Sequence, residues 1–216
     1  MISWKKSFIE FSLKKEALVF GTFQLKSGRK SPYFFNSNAF YTGQDIYKLS
    51  EFYAHKIIES KIHYNALFGL AYKGIPIVTS IAFYLQKNYN INIPFFFNRK
   101  EIKQYGEYGC WLGNPYNKNV IIIDDVITAG TAINNIIKYI HKQDDININI
   151  SSILVALDRQ ELGIKKQSAV QEVQKRNNCN IFSIITIKDL IEYLYNIKNM
   201  KKYLIQLENY LLQYGI

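Results

Sequence analysis

Cysteine and long apolar runs are both scarce in this sequence. Its two cysteines, Cys110 and Cys179, stand far apart and outside any C-x-x-C pattern, so we expect free thiols rather than a disulfide framework. No run reaches the roughly 18 consecutive apolar residues of a membrane-spanning helix. Charged residues between Glu10 and Glu16 interrupt the segment where a secretory leader would have its apolar core. The sequence therefore predicts a cytoplasmic protein with no membrane partner.

Histidine, proline and linker sequence are also sparse. The three histidines, His55, His63 and His141, have no ligand-like spacing, so a zinc site is not expected. Four prolines are spread along the chain, without an internal repeat or a Pro/Gly/Ser-rich linker. We therefore predict a single domain over residues 1–216, in which residues 1–40 form most of an N-terminal hood.

The charge is strongly basic but not clustered. A net charge of +10 favours polyanionic partners, among them nucleic acids and phosphorylated metabolites. However, the lysines are scattered without a block of five or six, and no DNA- or RNA-binding motif is visible. A solvated basic surface explains the charge as well as a nucleic-acid-binding regulator does, and we expect no nucleic-acid partner.

The hydrophobic pattern indicates an α/β fold. Trp4, Phe8 and Phe11 have helical spacing within residues 3–18, with Ser3 as a plausible N-cap. Two aromatic strands follow, and then short apolar runs alternate with helices, as in buried parallel strands joined by crossovers. We predict an open, mostly parallel twisted sheet flanked by helices, with a small helix-plus-hairpin hood at the N-terminus. The predicted strands are 20–25, 31–36, 66–70, 93–97, 120–124, 150–157 and 181–186; the predicted helices are 43–60, 74–88, 131–142 and 168–177, with one or two more at the C-terminus.

The most informative segment is residues 120–132, VIIIDDVITAGTA. An unpaired buried charge is costly, so Asp124 and Asp125 at the end of a buried strand must face a polar crevice. Carboxylates there suit sugar hydroxyls, Mg²⁺ or both. The small residues after them let backbone N–H groups close around an anion at a helix N-terminus, where Thr128 and Thr131 add hydroxyls. The alternative is a tight strand-to-helix turn with a fortuitous acidic pair.

Other cationic residues stand after or between predicted strands. Lys73 and Gly74 follow the strand at 66–70 and could form a second anion site. The polar stretch 99–113 suits a functional lid or a disordered loop. Arg159 carries a planar fork suited to a carboxylate, whereas Lys26 alone would be taken for a solvated turn lysine.

Several segments resemble one known family. Residues 120–132 resemble the phosphoribosyl-diphosphate signature of the type I phosphoribosyltransferases. FGTFQLKSGRKSPYFFN (20–36), LFGLAYKGIPI (67–77) and FFFNRKEIKQYGEYG (95–109) resemble the orotate phosphoribosyltransferases in particular, and LDRQE (157–161) and IFSIITIKDLIEYL (181–194) fit as well. The motifs keep the family's order along nearly the whole chain.

This resemblance implies a fold, a reaction and a site. The fold is that of the type I phosphoribosyltransferases. The reaction is transfer of a phosphoribosyl group from 5-phospho-α-D-ribose 1-diphosphate to orotate, giving orotidine 5′-monophosphate and pyrophosphate in pyrimidine biosynthesis. Mg²⁺ is implied as cofactor, held mainly through the substrate with a contribution from Asp125. A homodimer that shares its active sites is implied as well, with the 99–113 loop closing over the neighbouring subunit.

The resemblance also implies residue roles. Lys73 belongs to the pyrophosphate loop, Lys103 is the proton donor or main loop cation, and Arg159 meets the carboxylate of orotate together with Thr128. The implied catalytic residues are Lys103, Lys73, Asp124, Asp125 and Arg99; the further substrate contacts are Lys26, Phe34, Phe35, Tyr72, Lys100, Tyr105, Val126, Ile127, Thr128, Ala129, Gly130, Thr131, Ala132 and Arg159.

Two departures and one rival accompany this interpretation. Tyr105 stands where the family usually has histidine, and Tyr108 where glycine is usual. Tyrosine can donate a hydrogen bond to a pyrophosphate oxygen but cannot carry positive charge near neutral pH.

A phosphoribosyltransferase for purines or uracil would share residues 120–132, but we would not expect it to share the Lys26 hairpin, the Phe34–Phe35 pair and Arg159.

Overall fold

A computed structural model describes residues 1–25, 27–103, 109–127, 130–143, 147–162 and 167–216, without the side chains of residues 102, 103 and 109. Seven helices and eight strands lie in these ranges. The helices are α1 Ser3–Lys14, α2 Gly43–Ser60, α3 Gly74–Tyr89, α4 Thr131–Ile140, α5 Ala169–Asn177, α6 Ile187–Tyr195 and α7 Lys201–Tyr214. The strands are β1 Leu18–Gln24, β2 Lys30–Phe35, β3 Ala66–Gly69, β4 Phe95–Lys103, β5 Gly109–Leu112, β6 Lys118–Ile123, β7 Ile148–Asp158 and β8 Asn180–Thr186.

A six-stranded sheet in the order β5-β4-β3-β6-β7-β8 forms the centre of the fold. Its strands are parallel except for β5, which runs antiparallel to β4 at the edge. Every residue from Val120 to Ile123 in β6 is fully buried, because this strand lies at the middle of the sheet with helices on both faces. The predicted mostly parallel α/β sheet is confirmed.

Two local expectations are wrong. The strand predicted at 93–97 continues to Lys103 and pairs with β5, so part of the stretch taken for a lid is a β-hairpin arm. Polar side chains are tolerated there because this part of β4 extends beyond its pairing with β3 and is held by backbone pairing with the edge strand β5. Ser3 is not an N-cap either: it is the first helical residue, and Ile2 precedes it without a side-chain cap.

The hood consists of α1 and the antiparallel β1–β2 hairpin. Its apolar residues belong to the same core as the helices that pack on the sheet. The Phe8 ring of α1 contacts both Phe35 at the end of β2 and Phe52 on α2. Lys5 on α1 forms an ion pair of 2.9 Å with Asp189 on α6. The hood is therefore fixed to the C-terminal helices as well as to the sheet.

Among the helices that the structure describes, none combines the length and apolar character needed to cross a bilayer.

Candidate active site

The carboxylate of Asp125 is the centre of a cluster at the carboxyl end of β6. Its Oδ2 accepts a hydrogen bond of 2.8 Å from Lys73 Nζ and one of 2.6 Å from Ser37 Oγ. Its Oδ1 accepts a bond of 2.8 Å from the backbone N–H of Val126. The side chain is 11% exposed. The loop after β3, the turn after β2 and the loop after β6 thus converge on one carboxylate.

Asp124 has a different environment from its neighbour. Its Oδ1 accepts a bond of 2.9 Å from the Asp125 N–H, and the buried Tyr53 hydroxyl donates to its carbonyl oxygen at 2.8 Å. Burial, and then the negative charge of Asp125, raise the pKa of Asp124 to about 7. Asp124 therefore keeps its proton to a higher pH than an ordinary aspartic acid does.

The raised pKa of Asp124 predicts a pH dependence of stability. A carboxyl group with a folded pKa above its unfolded value keeps its proton longer in the folded state, so its stabilisation is full below pH 4 and is lost as pH rises toward 7. Relative to wild type, Asp124→Asn should gain at least about 2–4 °C in Tm between pH 4.5 and pH 8, the change expected for about 1 kcal/mol in a chain of this length. Tm measured across this range for both proteins tests the shift. Parallel Tm–pH curves would contradict it.

The loop between β3 and α3 carries Lys73 and closes tightly on the sheet. A β-carbon on Gly74 would overlap the carbonyl oxygen of Ile123, and one on Gly69 would lie 2.6 Å from the Gly74 carbonyl oxygen. The Gly74 N–H already donates to Leu70 O at 2.8 Å. Gly74 therefore does not present its own N–H group to a ligand. It instead allows α3 to begin against the ends of β3 and β6, which positions Lys73.

The basic part of β4 lies beside this loop. The Oδ1 atom of the buried Asn98 accepts a hydrogen bond of 2.9 Å from the Ala71 N–H, which joins β4 to the loop. The peptide bond that follows, Ala71–Tyr72, is cis. Lys100 Nζ lies 4.4 Å from the centre of the exposed Tyr72 ring, a cation–π distance. Lys100 is thus brought beside Tyr72, the chain neighbour of Lys73. Arg99 precedes Lys100 on the same strand and is half-buried.

Helix α4 is the next element after β6 along the chain. Gly130 precedes it in the left-handed region with φ +67°, and the helix has neither a side-chain cap nor an acidic residue in its first turn. Its first N–H groups and its positive dipole end can therefore receive an anion. Thr131 and Ala132 are exposed there, whereas Ile127 is buried and packs in the core. Ile127 could contact a ligand only through its backbone.

Arg159, just after β7, is held in a defined orientation by the hairpin. Its Nε and Nη2 both reach Glu161 Oε1, at 2.7 and 2.6 Å, and Nη2 also donates to Ser31 Oγ at 2.8 Å. The guanidinium carbon lies 4.2 Å from the centre of the Tyr33 ring. The side chain is only 11% exposed, so the strand–hairpin contact fixes its direction before any ligand binds.

The aromatic pair on β2 divides between core and surface. Phe35 is buried against Phe8 and Phe40, because successive side chains of a strand point to opposite faces. Phe34 is 38% exposed and stacks on Phe23, with ring centres 5.5 Å apart. Phe34 alone can therefore offer a ring face to a planar ligand.

Some residues singled out from the sequence lie outside the described part of the chain. They are Lys26, the side chain of Lys103, Tyr105, Tyr108, Thr128 and Ala129. The sequence reasoning also missed two residues that the structure brings to the site, Ser37 and Glu161. Both residues stand beside segments that the sequence had singled out: Ser37 directly follows FFN, and Glu161 ends LDRQE. A serine or a glutamate at such a place has no distinctive spacing, so neither residue could be recognised from the sequence alone.

Comparisons of the sequence and of the structure with known proteins find phosphoribosyltransferases. A family model described as a phosphoribosyl transferase domain matches residues 36–187. An orotate phosphoribosyltransferase of Buchnera aphidicola subsp. Acyrthosiphon pisum is 53% identical over the full length of both chains, and one of Shigella flexneri is 45% identical, again over both full lengths. The crystal structure of orotate phosphoribosyltransferase from Francisella tularensis superposes with a TM-score of 0.87 at 38% identity, covering 97% of this chain and all of that one.

Proposed function

The chain belongs to the orotate phosphoribosyltransferases of the phosphoribosyltransferase family, and from that premise we propose how its crevice performs the reaction. The enzyme transfers a phosphoribosyl group from 5-phospho-α-D-ribose 1-diphosphate to orotate in pyrimidine biosynthesis. The bond from the anomeric carbon to the diphosphate breaks, and a ring nitrogen of orotate bonds to that carbon. The observation that carries the proposed site is the Asp124–Asp125 pair between Lys73 and the uncapped start of α4.

The sugar phosphate occupies the loop after β6. The two carboxyl groups accept hydrogen bonds from the ribose hydroxyls, and the 5′-phosphate lies against the N–H groups at the start of α4, with Thr128, Ala129, Gly130, Thr131 and Ala132 around it. Val126 and Ile127 contribute backbone contacts. Negative charge beside the ribose also stabilises the oxocarbenium character that develops as the diphosphate leaves.

The leaving diphosphate is received by cations. Lys73 carries one charge at the end of β3, and Arg99 and Lys100 bring others on β4. We propose that Lys103 supplies the main loop charge or the proton, since a group of this kind acts where negative charge accumulates in the transition state. Tyr72 and Tyr105 add aromatic and hydroxyl contacts.

Orotate lies between the hood and the end of β7. Arg159 offers its fork to the orotate carboxylate, with Thr128 beside it. Phe34 offers a ring face, Phe35 contributes through its backbone, and Lys26 adds charge next to the diphosphate and the base. The fixed orientation of Arg159 supports this assignment, because a preorganised donor loses less entropy on binding.

Magnesium fits the residues present. Among the described residues, no group of three or more acidic, histidine or cysteine side chains could hold a metal alone. Mg²⁺ is commonly bound through one or two carboxylates together with substrate phosphates; Asp125, and Asp124 when ionised, would be those carboxylates. When bound, the ion would neutralise charge on the diphosphate.

We further propose a homodimer that shares its active sites: Lys100 stays beside Tyr72 of its own subunit, and the 99–113 loop as a whole closes over the neighbouring subunit. The basic residues near Lys73 support this proposal. Further cations supplied by a neighbouring subunit would cover the diphosphate and exclude water from the site. A cytoplasmic location stays a prediction.

The activity is tested by pyrophosphate release from 5-phosphoribosyl 1-diphosphate with orotate, uracil, hypoxanthine or adenine, each with Mg²⁺ and with excess chelator. We expect release with orotate and Mg²⁺ only. Release with uracil or a purine base instead of orotate would overturn the base assignment, and full activity under chelation would overturn the proposed metal dependence.

A further inference from the structure

Ser37 is the hood residue that reaches the sugar site. It begins the short 3-10 turn Ser37–Ala39 immediately after β2, where the Asn36 side chain accepts a bond from the Asn38 N–H. Its hydroxyl donates to Asp125 Oδ2 at 2.6 Å, across 88 residues of sequence. The turn fixes the backbone at this point, so the hydroxyl is aimed at the carboxylate by the hood itself.

Asp125 Oδ2 has two donors of very different freedom. The Lys73 side chain is long and 43% exposed, whereas Ser37 is half-buried and its hydroxyl is one atom from the backbone of a short turn. In the proposed function Lys73 serves the diphosphate, so an arriving diphosphate competes with Asp125 for the same ammonium group. Ser37 has no comparable attraction to the diphosphate, because a hydroxyl carries no charge.

We propose that Ser37 is a positioning residue, which holds the Asp125 carboxylate in the ribose-binding orientation while Lys73 turns to the diphosphate. The Val126 N–H fixes Oδ1 and Ser37 fixes Oδ2, so the carboxylate keeps one donor on each oxygen. This inference rests on the proposed function. It adds a determinant of sugar-phosphate binding that lies in the hood and contacts no substrate in that scheme.

A cavity beside the cluster shapes the test. It measures about 220 Å³ and is lined by Ser37, Asn38, Phe40, Ile46, Leu49, Lys73, Pro76 and Ile77. A water molecule can enter such a space when the hydroxyl is removed, so Ser37→Ala can be partly compensated. Ser37→Val fills the position with methyl groups and offers Asp125 no donor, whereas Ser37→Thr retains the hydroxyl.

The experiment compares steady-state kinetics of these three variants with Asn38→Ala, a change in the same turn and cavity wall. We expect Ser37→Ala to raise KM for phosphoribosyl diphosphate about threefold to tenfold, as for the loss of one ordinary hydrogen bond, with KM for orotate unchanged. Ser37→Val should be worse, and Ser37→Thr and Asn38→Ala should resemble wild type. Calorimetric binding of the sugar diphosphate should weaken in the same order.

The outcomes separate this inference from the proposed function. If wild type releases no pyrophosphate with orotate, the proposed function fails. If wild type is active and Ser37→Ala matches it in both KM and calorimetric affinity, the positioning role fails. Equal increases in both KM values, not restored by threonine and accompanied by a lower Tm, would mean that Ser37 only anchors the hood, which also overturns the inference.

Discussion

Lys103→Ala should lower kcat by roughly 10²–10³-fold with little change in either KM. Lys103 ends β4, on the strand that brings Arg99 and Lys100 beside the Lys73 loop. A cation that meets the diphosphate mainly as its bond breaks stabilises the transition state more than the ground state, so its removal appears in kcat. Initial rates over full ranges of both substrates measure the two parameters.

Lys118→Ala provides a matched control for this change. Lys118 begins β6, at the end of the strand opposite to Asp124 and Asp125, and its loss removes the same charge from the whole molecule. Its kinetics should equal those of wild type. If Lys103→Ala instead raised KM for the sugar diphosphate and kept kcat, Lys103 would be a ground-state contact and the role given to it would be wrong.

Arg159→Lys should raise KM for orotate by about 10–100-fold and leave KM for the sugar diphosphate unchanged. Lysine keeps the positive charge that faces Glu161, so the fold should survive, but it loses the planar fork that matches a carboxylate. A lost hydrogen bond to a charged group costs about 1.5–3 kcal/mol, which is the expected change in affinity. Kinetics with each substrate varied in turn, together with Tm, test the change.

Arg29→Lys is the control for Arg159. Arg29 approaches the other carboxylate oxygen of Glu161, with its Nη1 3.9 Å from Oε2, and its guanidinium packs on the Tyr214 ring. This variant alters the surroundings of Glu161 without touching the proposed orotate contact. If Arg159→Lys raised the KM values for both substrates equally, Arg159 would maintain the structure of the site rather than recognise the base.

The sheet and its acidic strand end were readable from sequence because they depend on local pattern. Residues 120–123 are β-branched without interruption, which indicates burial on both faces, and the charges directly after them had to face a crevice. The later part of β4 was not readable, because its polar residues 99–103 are held by pairing with β5 and not by burial. A hydrophobic pattern contains no signal for such an arm.

The site's internal contacts were beyond sequence reasoning for another reason. Ser37 and Asp125 are 88 residues apart, and Ser31 and Arg159 are 128 apart. Each pair meets only because the hairpin folds over the ends of the sheet. The constraint on Gly74 is similarly non-local, since it comes from the carbonyl oxygen of Ile123 on a separate strand.

Strand β2 touches the site at two points, through Ser31 to Arg159 and through Ser37, just beyond its end, to Asp125. In the proposed function these two partners hold the base and the sugar, so the stretch between the serines acts as a spacer that sets how far apart the substrates are held. One residue of extended strand spans about 3.3 Å, while reacting atoms must approach within roughly 3–3.5 Å. In the proposed function, the length of this strand therefore helps to set the alignment of base and anomeric carbon.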